Sequence, residues 1–137
     1  MTPYVNFTNC SCRITKNLSS TTWDIYDPHG ELIDLQGICL GPTTNNIVEY
    51  SAVLELLSDA ITLDIREMVV NLDSKLVVLH LNGKYSIINP QLLRMYLCIL
   101  LLERNFDYIT YDHIPSHMNT LTNALANYVL ERHLCNM

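Results

Sequence analysis

The chain has 137 residues, a formal net charge of -6, and a composition that is 49% apolar and 16% charged. These values are typical of one globular domain with a sizeable core, here residues 1–137, and they exclude a disordered chain. The acidic balance argues against a strong, sequence-independent grip on nucleic acid, although it leaves room for a local basic patch.

The first half of the chain is predicted to form an antiparallel meander and then a helix. Asp27-Pro28-His29-Gly30 is the clearest turn signal, because proline presets φ and glycine closes the turn between two β-rich segments. The predicted elements are a weak strand over 3–12, a polar loop over 13–20, strands over 21–26 and 31–40, and a helix from about 46 to 63.

The second half alternates strands and helices. A strand over 67–72 leads into a short helix over 73–82, and Pro90 opens a long helix over 90–104. This helix is apolar on most faces, so we predict that it is deeply buried. A strand over 106–114, a loop over 115–119 and a final helix over 121–133 complete the chain. The order predicts an α/β fold: a five-stranded mixed sheet, first antiparallel and then parallel, with helices on both faces.

Asp73 is the first candidate functional residue. It follows the apolar segment Met68-Val69-Val70, at the carboxyl end of a predicted strand, which is where ligands bind in α/β folds. A structural role is also open, because Asp73-Ser74 has the composition of a helix N-cap.

Cysteine usage and the chain start indicate the compartment. The five cysteines have no regular metal-ligand spacing, and the first residues contain no basic region followed by an apolar one. The longest apolar run, 96–102, is too short for a bilayer. We therefore expect free thiols, no membrane association and an intracellular location, in the cytoplasm or nucleus.

Several motifs occur in an order and spacing that resemble the type 1 ribonuclease H family. The resemblance extends over essentially the whole chain and is nearest to the short plant, archaeal and retroelement forms. The motifs that carry it are Asn45-Asn46-Ile47-Val48-Glu49-Tyr50, Leu72-Asp73-Ser74-Lys75, and His113-Ile114-Pro115 continuing to Asn119, Asn123 and Ala126.

The resemblance implies cleavage of the RNA strand of an RNA–DNA hybrid by two magnesium ions held by four carboxylates. Glu49 and Asp73 match two of these metal ligands, whereas Asn9 and Asn123 stand at the other two positions. A neutral amide is a poor substitute for an anionic oxygen ligand, so we expect Mg²⁺ binding to be weak or absent. Asp24 is the alternative carboxylate if the first strand is aligned differently, although its place in the second strand is unfavourable.

Three further residues take roles from the resemblance. His113 matches a histidine that assists product release, and Asn46 and Lys75 match contacts with the hybrid, where amides and cations reach 2′-hydroxyls and phosphates.

The asparagines at 9 and 123 are either deliberate replacements that trap a substrate or natural losses. Cys10, which replaces a glycine, favours natural loss.

The sequence thus predicts a ribonuclease H-like domain with a degenerate site: Glu49, Asp73 and His113 remain from the catalytic set. Weak binding of RNA–DNA hybrid or RNA is expected, with cleavage lost or strongly reduced. Two alternatives stay open: a domesticated retroelement-derived module that binds a protein partner, and an active magnesium-dependent nuclease with an atypical metal site.

Overall fold

The computed structural model describes residues 3–13, 18–41 and 43–115, and for residues 9–13 and 18 it describes the backbone alone. Five strands and three helices lie in these ranges. They are β1 (Tyr4–Arg13), β2 (Leu18–Tyr26), β3 (Leu32–Leu40), α1 (Asn45–Thr62), β4 (Glu67–Leu72), α2 (Lys75–Leu81), α3 (Pro90–Glu103) and β5 (Tyr108–His113).

The strands form one mixed sheet in the order β3-β2-β1-β4-β5. β1, β2 and β3 pair antiparallel as a meander, and β4 and β5 add in parallel on the other side of β1. The predicted five-stranded mixed sheet is therefore confirmed. α1 packs on β1 and β2 and against α3, while α2 packs against β4 and β5. The predicted helix over 121–133, on which the expectation of helices on both faces partly depends, lies outside the described residues.

The β2–β3 turn forms at the predicted place. The Asp27 carboxylate accepts hydrogen bonds from the N–H groups of His29 and Glu31, both at 2.9 Å. Gly30 has φ +85°, a left-handed conformation that glycine adopts without a steric cost. The turn fixes the register of β2 against β3.

The predicted loop over 13–20 is wrong at both ends. β1 continues through Arg13, and β2 begins at Leu18, where Ser19 and Ser20 pair with Cys12 and Ser11. Both serines are buried. Polar residues carry no hydrophobic alternation, so the sequence pattern missed a segment that backbone pairing and burial hold as strand.

The core lies between the sheet and α1. Strands contribute Trp23, Ile25, Met68 and Val70, and α1 contributes a fully buried face that includes Leu56 and Leu57. This buried face of the 18-residue helix anchors α1 on β1 and β2.

The expectation that α3 is deeply buried is wrong. Only Leu92 and Ile99 are buried in this helix, and its apolar exposed side chains are Leu93, Leu97, Leu100 and Leu101. α3 packs against α1 along one face, so the apolar residues on its other faces have no partner element among the described residues. No helix in the described part of the chain is long and apolar enough to cross a bilayer.

Cys39 and Cys98, the two cysteines with described side chains, are both free. We expect all five thiols to be free, as for a protein of a reducing compartment. Thiol titration of the denatured, unreduced protein checks this, and a count below four per chain would contradict it.

Candidate active site

Asp73 lies where β4 gives way to α2. Leu72 is the last residue of β4 and Lys75 the first of α2, so Asp73 and Ser74 form the connection. Ser74 is the N-cap, because its hydroxyl accepts a hydrogen bond from the Val77 N–H at 3.4 Å. The capping role therefore belongs to Ser74, and the Asp73 carboxylate contributes negative charge at the carboxyl end of β4.

Glu49 lies in the first turns of α1 and reaches the same edge. Its carboxyl contacts the Asp73 carboxyl and the Ser74 hydroxyl, and its Oε2 is buried without a hydrogen-bond donor among the described residues. Burial and the negative charge of Asp73 raise the pKa of Glu49 to about 8, against the lowering effect of Ser74. The structure thus brings together two of the predicted site residues as a half-buried carboxyl pair.

Asn9 reaches this edge through the register of β1. β1 and β4 run in parallel, with Phe7 opposite Asn71 and Thr8 opposite Leu72. One step further along both chains puts Asn9 beside Asp73, as the family alignment requires. Asn9 and Asp73 therefore lie on adjacent chain segments.

Asp24 is not an alternative to Asn9. It pairs with Phe7 in the β1–β2 register, and its carboxylate accepts a hydrogen bond from the Phe7 N–H at 2.8 Å. Burial raises the pKa of Asp24 to about 7, although that hydrogen bond opposes the shift. Asp24 is therefore a buried structural carboxyl. It lies opposite Phe7, two residues before Asn9 along β1.

A chain of buried polar groups fixes this register. The Asn71 amide donates to the Asn6 carbonyl at 2.9 Å, and the Asn6 amide donates to the Asp24 carbonyl at 2.7 Å. The Thr8 hydroxyl donates to the Asn6 side-chain oxygen at 2.8 Å. These bonds join β4, β1 and β2 just before the site, and sequence reasoning did not identify them because no pattern marks a buried asparagine.

His113 is exposed at the end of β5 and pairs with Leu72. It therefore lies at the same edge of the sheet as Asp73. Asn123, the fourth predicted position, lies outside the described residues.

The predicted nucleic-acid contacts, Asn46 and Lys75, lie in the first turns of α1 and α2. Asn46 lines an open groove of ≈ 550 Å³ whose other walls include Lys84 and Tyr85. Sequence reasoning did not single out this exposed cation and its neighbouring exposed aromatic. An exposed lysine next to an exposed tyrosine suits phosphate and base contacts, and this was the feature of the sequence that could have identified them.

Comparison with known proteins defines the class. The reverse transcriptase-like family model matches residues 7–129, so the chain belongs to that family. Together with the fold, this makes it a ribonuclease H-like domain homologous to ribonuclease H1.

Individual relatives agree. The chain is 36% identical over 92 residues to the bifunctional protein Rv2228c of Mycobacterium tuberculosis, covering 67% of this chain and 25% of that protein. It is 29% identical over 109 residues to ribonuclease HI of Halobacterium salinarum, covering 80% of this chain and 55% of that protein. The chain thus spans only part of the length of these relatives.

Solved structures match the fold closely. Ribonuclease H1 of Halobacterium salinarum superposes with a TM-score of 0.89 at 25% identity, covering 95% of this chain and 98% of that one. The N-terminal ribonuclease H domain of Rv2228c gives 0.89 at 26% identity, covering 99% of each chain. LC11 ribonuclease H1 in complex with an RNA/DNA hybrid gives 0.88 at 24% identity, covering 96% of this chain and 99% of that one, a likeness of fold alone.

The donor set supplied by the described residues does not by itself fit a pair of magnesium ions. Among the described residues no three His, Cys, Asp or Glu side chains converge, and the site offers the carboxyls of Glu49 and Asp73. Mg²⁺ requires near-octahedral hard oxygen ligands, and two such ions in one site need more anionic oxygen than this.

Proposed function

We propose that this chain is a nucleic-acid-binding ribonuclease H-like domain whose two-metal ribonuclease activity is lost or strongly reduced. The observation that carries the proposal is the β1–β4 register, because it supports an amide, Asn9, at the position beside Asp73 where the family has a carboxylate. Asn123 replaces a second carboxylate in the sequence. Magnesium binding is accordingly weak or absent.

Loss of two anionic ligands has a large electrostatic effect. Each aspartate contributes a negative charge to a site that concentrates divalent cations, and asparagine contributes only a neutral carbonyl oxygen. The metal ions of such nucleases provide several kcal/mol of charge stabilisation in the transition state. Natural loss of the ligands in a retroelement-type enzyme accounts for both asparagines and for Cys10. The proposal also includes an intracellular location.

The binding part of the proposal rests on the surface around Asn46. Asn46 and Lys75 lie at neighbouring helix starts, and Lys84 and Tyr85 line the groove next to Asn46. These groups suit the 2′-hydroxyls, phosphates and base faces of an RNA–DNA hybrid or RNA. A formal net charge of -6 keeps the affinity low and sensitive to salt.

Lys75→Glu is expected to weaken hybrid binding and to lower the slope of log affinity against log salt by roughly 0.9, because one phosphate contact is lost. Fluorescence anisotropy with a labelled hybrid across a salt series measures both quantities. Arg104→Glu is the matched control, because it makes the same charge change near the start of β5, at the far end of β4 from Asp73. Equal effects of the two substitutions would contradict a local contact.

A protein-interaction module is the second candidate function. The exposed apolar side chains of α3, together with Ile88, favour it, because such side chains serve protein contacts better than phosphate contacts. Absence of hybrid binding at low salt would select this candidate. Strong cleavage by the unmodified protein in magnesium or manganese would instead select an active nuclease with an atypical metal site.

A further inference from the structure

Two carboxyl groups meet between the edge strand and the first helix, away from the candidate active site. Among the strands of the described residues, β3 lies at the edge of the sheet and pairs with β2 alone. In that register Asp34 lies opposite Ile25, and Gln36 lies opposite Trp23. Asp59 approaches the same place from α1, where it accepts a hydrogen bond from the Trp23 indole. Asp34 and Asp59 thus link β3 to the helix that covers the sheet.

Each carboxyl already accepts one hydrogen bond from a neutral donor. Trp23 Nε1 donates to Asp59 Oδ2 at 3.0 Å, and Gln36 Nε2 donates to Asp34 Oδ1 at 3.1 Å. Asp34 Oδ2 is shielded from solvent and meets no donor among the described residues, while its side chain is in hydrogen-bond contact with Asp59. Two carboxylates can form that contact only if a hydrogen lies between them.

The surroundings disfavour a doubly charged pair. Glu55, one turn before Asp59 on α1, adds a third negative charge, and β2 contributes the neutral indole of Trp23. Asp24, the next residue of β2, uses its carboxylate to accept from Phe7. Burial and the neighbouring acids raise the pKa of Asp59 to about 6.

We propose that a proton shared between Asp34 and Asp59 holds the edge strand β3 against α1, and that loss of this proton loosens the strand. In the closed form one carboxyl O–H donates to the other carboxylate. Release of the proton to water leaves two repelling carboxylates across the contact. This device is independent of hybrid binding and of the metal site.

The direction of the pH effect follows from linkage. The folded protein holds the proton more tightly than the unfolded chain, whose aspartate has a pKa of 3.8, so the stabilisation is complete below that value. It is lost as the pH rises through about 6. The stability of β3 should therefore fall between those two values and stay low above them.

Trp23 is the single tryptophan of the chain and donates directly to Asp59, so its indole N–H is a specific reporter. In a pH titration of the ¹H–¹⁵N spectrum, the wild-type indole signal is expected to shift with a midpoint near pH 6. Asp34→Asn supplies a permanent N–H donor to the Asp59 carboxylate, and its midpoint is expected to fall by about one pH unit or more. Amides of β3 should lose exchange protection above the midpoint in wild type and keep it in the variant.

Glu31→Gln is the matched control, because it removes one acidic charge from the exposed residue just before β3. Its indole signal should titrate as in wild type. A step caused by Asp24 near pH 7 would occur in wild type and in both variants. If Asp34→Asn does not fold, Asp59→Asn serves in its place, since its amide can accept from Trp23 and donate to Asp34. No wild-type step near pH 6, or equal midpoints in Asp34→Asn and Glu31→Gln, would overturn the proposal.

Discussion

Replacing both Asn9 and Asn123 with aspartate is expected to produce magnesium-dependent cleavage of RNA–DNA hybrid. Neither single substitution should do so appreciably. Asn9→Asp restores the carboxylate beside Asp73 but leaves the fourth ligand neutral, and Asn123→Asp lacks the first. Recovery of about 3–4 kcal/mol of charge stabilisation corresponds to a gain of roughly 100- to 1000-fold in rate. Such non-additivity is expected of residues that act together around shared ions.

The four proteins of this cycle should be assayed with a labelled hybrid in magnesium. Gln91→Glu combined with Asn105→Asp is the matched control, because it adds the same charge at exposed positions. No gain in the Asn9/Asn123 double variant would contradict a lesion confined to the carboxylates and would point to wider loss, as Cys10 suggests. Without metal, the double variant should be slightly less stable than wild type, because its carboxylates repel one another.

Asn6→Ala is expected to lower the free energy of unfolding by about 2–4 kcal/mol, an effect near the upper end for a single polar substitution. The Asn6 side chain is fully buried, donates to the Asp24 carbonyl and accepts from Thr8. Alanine removes both bonds, and with them one buried partner each of the Asp24 carbonyl and the Thr8 hydroxyl. The bond that joins β1 to β4, from the Asn71 amide to the Asn6 backbone carbonyl, is kept in the variant, so Asn9 should stay beside Asp73.

Urea denaturation of Asn6→Ala measures this effect. Asn105→Ala is the control, because Asn105 is exposed and its side chain makes one local bond, to the Leu102 carbonyl. The control should change stability by less than about 0.5 kcal/mol. Similar losses in both variants would show that the two buried bonds of the Asn6 side chain contribute nothing particular to stability.

The sheet was predictable because its signals are local. The Asp27–Gly30 turn, the apolar segment before Asp73 and the alternation of strands with helices define a meander followed by parallel strands. The extent of β2 was not predictable, since Ser19 and Ser20 are buried by pairing with β1 and not by their own hydrophobicity. The exposure of α3 depends on which elements cover it, and helical periodicity does not contain that information.

The site was predictable only in part. The position of Asp73 follows from strand order alone, but its contact with Glu49 was expected solely from the family resemblance. Spacing along the chain does not determine how a helix is rotated over a sheet edge. The Asp34–Asp59 pair shows the same limit, because only the β2–β3 register and the packing of α1 bring those two carboxyls together.

The most direct measurement of the central claim is cleavage of a labelled RNA–DNA hybrid by the unmodified protein in magnesium, at low salt and at a protein concentration that saturates binding. Saturation separates a binding defect from a catalytic one. The proposed function predicts a hybrid that is bound but remains intact on the timescale on which the Asn9→Asp/Asn123→Asp variant cuts it. Rapid, magnesium-dependent cleavage by the unmodified protein would contradict it.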